Sequence, residues 1–129
     1  MITAKLNTYR QSPRKVRLVS DLVKGKSVEE ALRLLSVTTK AAALPLRKLI
    51  EAAARGAKNS FNIDEKALYI KDFTVNSGAT LKRSMPRARG SAFPILKRTS
   101  HVSLVLDERN ESKNEKSKIK IKESPAATR

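Results

Sequence analysis

Residues 80–100 form a strongly basic stretch whose charged side chains cannot be buried in a compact hydrophobic core. They read TLKRSMPRARGSAFPILKRTS, and no acidic residue occurs between Asp72 and Asp107. The cations of this stretch therefore lack carboxylate partners nearby in the sequence, and a polyanion is the partner that their charge favours. These cations are Lys82, Arg83, Arg87, Arg89, Lys97 and Arg98.

The segments on either side of this stretch have the composition of β-strands. Residues 68–75 are rich in β-branched and aromatic side chains, and residues 101–106 place apolar side chains at every second position. The apolar positions change phase between Ile70 and Phe73, which predicts a β-bulge there. Because Pro86 and Gly90 lie near the middle of the joining segment, the two runs are predicted to form one long antiparallel hairpin. We call residues 80–100 the hairpin arm.

The hairpin arm is predicted to project from the folded body. Ten extended residues span about 30 Å at about 3.3 Å each, whereas a domain of about 100 residues has a radius of gyration of only about 13 Å. The few apolar side chains of the arm cannot offset the entropy that is lost when so long a segment is ordered. We expect a polyanionic partner to supply the remaining stabilisation, and a free, flexible basic loop is the alternative.

The overall charge of the chain favours the same kind of partner. Among 129 residues, 28 Lys and Arg stand against 12 Asp and Glu, so the formal net charge is +16 and the pI is about 10.6. A charge of this size favours nucleic acid. Residues 1–109 are predicted to form one α+β domain, whereas residues 110–129 have mixed charge and few apolar side chains and are predicted to be disordered.

The chain lacks the residue types that most catalytic and metal sites use. It has no cysteine and one histidine, His101, which we expect to form a hydrogen bond within a strand rather than to act as a base. No glycine-rich phosphate loop occurs among its 4 glycines. Neither enzymatic activity nor a metal or other cofactor is expected.

The aromatic residues narrow the kind of nucleic acid. Proteins that bind single strands stack bases on several exposed aromatic side chains, but Phe93 is the only aromatic residue of the hairpin arm. This favours structured RNA, held through its phosphates and its shape.

Three helices and a further strand are predicted in the first half of the chain. Residues 2–7 alternate apolar and polar side chains, as in a short strand that could pair with the hairpin. Helix one is predicted from Ser12 to Gly25, helix two from Ser27 to Val37, and helix three from about Lys40 to Lys58, followed by a polar connector. The expected fold is α+β, with three helices on a small three-stranded antiparallel sheet and one long basic hairpin arm.

Helical periodicity predicts which side chains of these helices are buried. In helix one the apolar positions share one side and leave Ser20 on the other; in helix three the apolar stripe ends at Phe61. Pro45 either bends helix three or marks its true start. The apolar positions are Val16, Leu18, Val19, Leu22 and Val23 in helix one, and Ala42, Leu46, Leu49, Ile50, Ala53 and Ala57 in helix three.

The first turn of helix one carries Arg14, Lys15 and Arg17. Cations at this end are disfavoured by the helix dipole. A phosphate at the helix start would reverse that disadvantage, because the free N–H groups and the side chains would then bind the same anion. A solvated charged face is the alternative.

Four separate motifs resemble the bacterial large-subunit ribosomal protein twenty-two family. They are SPRKVRLV at residues 12–19, GKSVEEAL at residues 25–32, LKRSMPRARG at residues 81–90 and KRTSHV at residues 97–102. The resemblance covers roughly residues 8–107 in the family's order and spacing. At Ser91 and Pro94 the chain departs from it, since the family usually has basic residues there.

The resemblance implies a role in the large ribosomal subunit, in the cytoplasm. It implies binding to large-subunit ribosomal RNA early in assembly, and a hairpin that lines the polypeptide exit tunnel opposite ribosomal protein four, beside the nascent polypeptide. The tunnel tip would be Met85, Pro86, Arg87, Ala88, Arg89 and Gly90. The RNA-binding residues would be the cations of the first turn of helix one and of the hairpin arm.

Two other classes of protein are weighed against this one. Architectural DNA-binding proteins also use basic β-arms with a proline at the tip, although such arms come in pairs from intertwined dimers. A membrane partner is not expected, because no run of the sequence approaches the roughly 20 apolar residues of a membrane span.

Overall fold

The computed structural model describes residues 1–109, and the predicted tail at residues 110–129 lies outside them. The described part contains three α-helices and three β-strands, as predicted. In chain order the elements are β1 (Ile2–Tyr9), α1 (Pro13–Val23), α2 (Val28–Val37), α3 (Ala43–Phe61), β2 (Leu68–Pro86) and β3 (Ala92–Glu108), with short 3-10 turns at Glu65–Ala67 and Ala88–Gly90. None of the helices within residues 1–109 is long and apolar enough to cross a membrane.

The strands form one antiparallel sheet in the order β1-β3-β2. β3 is central because it pairs with both neighbours: Leu6 is opposite Val102, and Val102 is opposite Val75. The pairing of β2 with β3 continues to Pro86 and Ala92, so the two predicted runs do form an antiparallel hairpin. That the hairpin arm projects from the body stays a prediction.

Two irregularities occur in β2. The register shifts between Ile70 and Asp72, as the change of apolar phase predicts, so that Ile70 and Phe73 are both buried. A second shift, between Ser77 and Thr80, was not predicted. It lies where the buried half of the hairpin gives way to the exposed half.

The core lies between the helices and one face of the sheet. α1 and α3 pack on the sheet, and α2 packs mainly on α3. Leu46, Ile50, Ile70, Leu104 and Leu106 are each fully buried there. Removing this much apolar surface from water is the main force that stabilises the body.

The helix starts follow their local sequence. Ser12 and Ser27 are the N-cap residues of α1 and α2, and Ser27 Oγ accepts a hydrogen bond from the backbone N–H of Glu30 at 3.3 Å. Ser12 makes no such bond with its side chain. Pro45 is the third residue of α3, within the first turn, where its missing N–H costs no intrahelical bond.

Several predictions about the helices are wrong. Leu18 and Leu22 are exposed, by 72% and 42%, whereas Ser20 is buried. Ser20 can enter the core because its Oγ donates a hydrogen bond to Arg17 O at 3.0 Å. Phe61 is exposed, and α3 runs three residues beyond Lys58 into the segment predicted as a connector.

Candidate nucleic-acid interface

The hairpin arm carries its charge on two regularly paired strands. From Thr80 opposite Arg98 to Pro86 opposite Ala92, the register runs without a shift. All six predicted cations of the arm are exposed. None of them takes part in a salt bridge within residues 1–109, so their charges are available to an external anion.

The tip of the arm is closed by its own backbone. The N–H of Arg87 donates to Ser91 O at 2.9 Å, and Ser91 Oγ donates to Ala88 O at 2.9 Å. Arg89 and Gly90 both have left-handed backbone, with φ of 59° and 71°. Glycine adopts this conformation without strain, which explains why one follows the tip arginine.

A groove joins the base of the arm to the start of α1. Its volume is about 520 Å³, and it is lined by Arg10, Gln11, Ser12 and Lys15 on one side and by Leu81, Leu96, Lys97, Arg98 and Thr99 on the other. Lys15, one of the cations predicted in the first turn of α1, thus borders the same groove as Lys97 and Arg98, which lie about 80 residues later in the sequence. We call this the basic groove.

The end of β1 positions the α1 side of the basic groove. Tyr9 is opposite Ser100 of β3. The backbone N–H of Thr8 donates to His101 Nδ1 at 3.1 Å, so the histidine has the structural role predicted for it. Arg10 follows directly and reaches the groove. Sequence reasoning missed Arg10, although the absence of any acidic residue before Asp21 was a signal that could have found it.

Arg17 differs from the other two cations of the first turn of α1. Its Nε and Nη2 both donate to the carbonyl oxygen of Val75, at 3.0 and 2.9 Å. Arg14 and Lys15 are exposed, and Lys15 lines the basic groove. At least part of the Arg17 guanidinium is therefore used to hold α1 against β2.

Two carboxylates of the sheet, Asp72 and Asp107, are paired with lysines that do not line the basic groove. Lys24 Nζ lies 2.7 Å from Asp72 Oδ1, and this hydrogen bond, with a second from Thr74, lowers the pKa of the Asp72 carboxyl. Lys71 Nζ lies 2.8 Å from Asp107 Oδ2 and lowers the pKa of that carboxyl in the same way.

The outer face of α3 is also internally paired. Glu51 lies 3.2 Å from Arg47 and 3.8 Å from Arg55, at the four-residue spacing of a helix surface. These ion pairs offset part of the positive charge of this face. The basic groove and the hairpin arm, by contrast, combine a high positive charge with no carboxylate among their lining residues.

Comparison with known proteins tests the family resemblance of the four motifs. The family model described as Ribosomal protein L22p/L17e matches residues 4–107. The large ribosomal subunit protein uL22 of Clostridium novyi is 53% identical over 100 residues, which cover 78% of this chain and 90% of the relative. That of Lactobacillus delbrueckii subsp. bulgaricus is 49% identical over 108 residues, which cover 84% and 92%. The protein of the same name from Pediococcus pentosaceus is 46% identical over 108 residues, with the same coverage.

The family match at residues 4–107 includes residues of all six elements of the fold, from β1 to β3, and the relatives align over most of the chain. They confirm the resemblance that the four motifs indicated. The chain belongs to the ribosomal protein L22p/L17e family.

Proposed function

We propose that this chain is a structural component of the large ribosomal subunit in the cytoplasm and binds large-subunit ribosomal RNA. The observation that carries the proposal is the basic groove, where Lys15 and Arg98 border one surface. Family membership supports the ribosomal assignment, since the relatives are named as large-subunit proteins. Residues 1–109 act as a single RNA-binding domain that includes the hairpin arm.

The basic groove binds the RNA backbone. A phosphate at the start of α1 meets the positive end of the helix dipole and the side chains of Arg14 and Lys15. The hairpin arm continues the same contact through its six exposed cations. Each neutralised phosphate releases a counterion, which makes the affinity depend strongly on salt.

The hairpin arm reaches the polypeptide exit tunnel in this proposal. Residues 85–90 border the path of the nascent polypeptide, near ribosomal protein four. The proposal rests on the family and on the exposure of these residues. Binding to the RNA early in assembly would order the arm before the subunit closes around it.

Nuclease treatment and sequencing of the bound nucleic acid test the proposal. The tagged full chain should purify with a large particle that survives DNase and is lost with RNase. The recovered nucleic acid should be large-subunit ribosomal RNA. Recovery of DNA, with a particle that survives RNase, would instead support an architectural DNA-binding protein and contradict the proposal.

A further inference from the structure

The side chain of Phe93 is the feature of the hairpin arm that phosphate binding leaves unexplained. It is 59% exposed, although exposing an aromatic ring to water is unfavourable. In the part of the chain that the structure describes, Phe73 is buried in the core, and Phe61 is as exposed as Phe93 but lies at the end of α3. Phe93 is thus the exposed aromatic side chain that lies among the cations of the arm.

The register of the hairpin shows which side chains share a face with Phe93. Directly opposed residues point to the same side, and successive pairs alternate between the two sides of the ladder. Phe93 is opposite Met85, and the next pair on that side is Arg83 with Ile95, followed by Leu81 with Lys97. We call these six residues the Phe93 face.

The Phe93 face combines an apolar surface with cations. Met85, Leu81 and Phe93 are exposed on it. Arg83 is diagonal to Phe93 across the ladder, at a spacing of about 7–8 Å that aromatic and long side chains can bridge. No carboxylate occurs in the arm.

This combination fits an unpaired RNA base better than an apolar protein segment. Every base has a π-face that stacks on an aromatic ring, and its own phosphate is an anion for a nearby arginine. An apolar peptide would gain from Phe93 and Met85, but it would leave Arg83 and Lys97 without an anion at the same contact. The charge complementarity of the face therefore favours RNA.

We propose that Phe93 stacks on an unpaired base of the RNA, with Met85 supporting the ring and Arg83 binding the adjoining phosphate. This inference rests on the proposed function and deepens it: the arm binds one base as well as the backbone. It predicts that the arm is placed on the RNA at a position where a base is free to leave the helix stack.

Substitution of Phe93 tests the inference by affinity. With the full chain and a large-subunit ribosomal RNA transcript, Phe93→Ala should weaken binding by about 5- to 150-fold, which corresponds to the loss of one base–aromatic stack. The same factor should be lost at every salt concentration, because stacking releases no phosphate counterion. Phe93→Leu, which keeps an apolar side chain and loses the ring, should also weaken binding. Phe61→Ala is the matched control and should leave the affinity unchanged.

A tryptophan at this position provides an optical test. The chain contains two tyrosines and no tryptophan, so Phe93→Trp introduces a single tryptophan that can be excited selectively. The variant should retain tight binding, and its tryptophan emission should be quenched when RNA binds. Phe61→Trp, the matched reporter outside the arm, should show no quenching.

The outcomes separate this inference from the proposed function. If Phe93→Leu binds RNA as tightly as the wild type, the side chain acts only as an apolar contact, as it would toward a peptide, and stacking is wrong. Unquenched emission of Phe93→Trp in a complex that does form would also overturn it. Failure of the wild-type chain to bind the RNA with a steep salt dependence would instead overturn the proposed function itself.

Discussion

The guanidinium of Arg17 donates two hydrogen bonds to a single acceptor, the carbonyl oxygen of Val75, at 3.0 and 2.9 Å. Val75 is the last buried residue of β2 before the exposed half of the hairpin. The contact therefore ties α1, whose first turn borders the basic groove, to the strand that leads into the hairpin arm. Arg17, which was predicted to bind phosphate, therefore also helps to position the two elements that border the basic groove.

Replacing Arg17 should affect stability more than RNA binding. Arg17→Lys keeps the charge but cannot form the bifurcated contact, so the free energy of unfolding should fall by about 1 kcal/mol. Arg14→Lys is the matched control, since the structure gives Arg14 no such contact, and it should leave stability unchanged. Urea unfolding of the two variants measures the difference. Equal stability would show that the Val75 contact contributes nothing.

The salt dependence of RNA affinity should depend most on the hairpin arm. Replacing Lys82 and Arg83 by alanine removes two phosphate contacts, and the slope of log K against log salt should flatten by about 1.4 to 1.8. The adjacent pair Arg47 and Lys48 on α3 is the matched control, because Arg47 is already ion-paired with Glu51. Its double alanine variant should flatten the slope less.

Removing residues 110–129 should change the salt slope little, because the lysines of this segment are interleaved with Glu111, Glu115 and Glu123. Titrations of the truncated and full-length chains over the same salt range would measure this. A larger flattening after truncation than after the Lys82 and Arg83 substitutions would show that the arm is not the main RNA-binding element.

Gly78 should not tolerate a side chain. A Cβ there would collide with Thr99 Oγ1 and lie 3.0 Å from His101 Nε2. Thr99 is buried and donates a hydrogen bond to Ala79 O at 2.6 Å, so it cannot easily move away. Gly78→Ala should therefore cost about 1–3 kcal/mol of stability.

A helical glycine provides the control for Gly78. Gly56→Ala meets no atom within 4 Å and should stabilise the protein by about 0.5–1 kcal/mol, because alanine loses less entropy in a helix. Thermal unfolding compares the two. In a double-mutant cycle, Thr99→Ala should relieve part of the cost of Gly78→Ala, and strict additivity would mean that the collision does not occur.

Acid should weaken the body through its paired carboxylates. The folded-state pKa of Asp72 lies below its ordinary value of 3.8 because of Lys24 and Thr74. As the pH falls, Asp72 is protonated in the unfolded chain before it is protonated in the folded protein. The stability from this pair is therefore present above about pH 4 and is lost as the pH falls through the folded-state pKa. The effect should be small, since both side chains are about half exposed.

Removal of the Asp72 carboxylate tests this directly. Below about pH 4, Asp72→Asn should unfold with a weaker dependence on pH than the wild type, as followed by denaturant titration. Asp64→Asn removes a carboxylate that is in neither ion pair of the sheet and serves as the control. If both variants behave alike, the Lys24 pair does not contribute to acid stability.

Shortening the tip of the hairpin arm should leave RNA binding by the body largely intact while it changes the width of the tunnel. Deleting residues 85–90 leaves the basic groove intact, so particles should still assemble, and their response to tunnel-binding drugs or stalling peptides should change. If particles with the deletion respond to tunnel-binding drugs and to stalling peptides as the wild type does, the tip does not lie in the tunnel. Sucrose-gradient analysis of the particles provides the assembly control.

Local sequence determined the elements of this fold and their order. Proline and serine at the helix starts, Gly25 after α1 and the period of apolar side chains act within a few residues, which is why the three helices and three strands could be predicted. The shift of apolar phase between Ile70 and Phe73 likewise predicted the first bulge. The charge distribution, with no acid between Asp72 and Asp107, identified the arm without any structure.

Only the tertiary structure decided how these elements meet. The wheel of α1 allowed Leu18 and Leu22 in the core, but the sheet accepts the side that carries Ser20, whose hydroxyl is satisfied by its own helix. In the same way, packing placed the Arg17 guanidinium within hydrogen-bond distance of the Val75 carbonyl and placed Arg10 in the groove beside the base of the arm. Such contacts join residues tens of positions apart, and they depend on register and packing that no local pattern encodes.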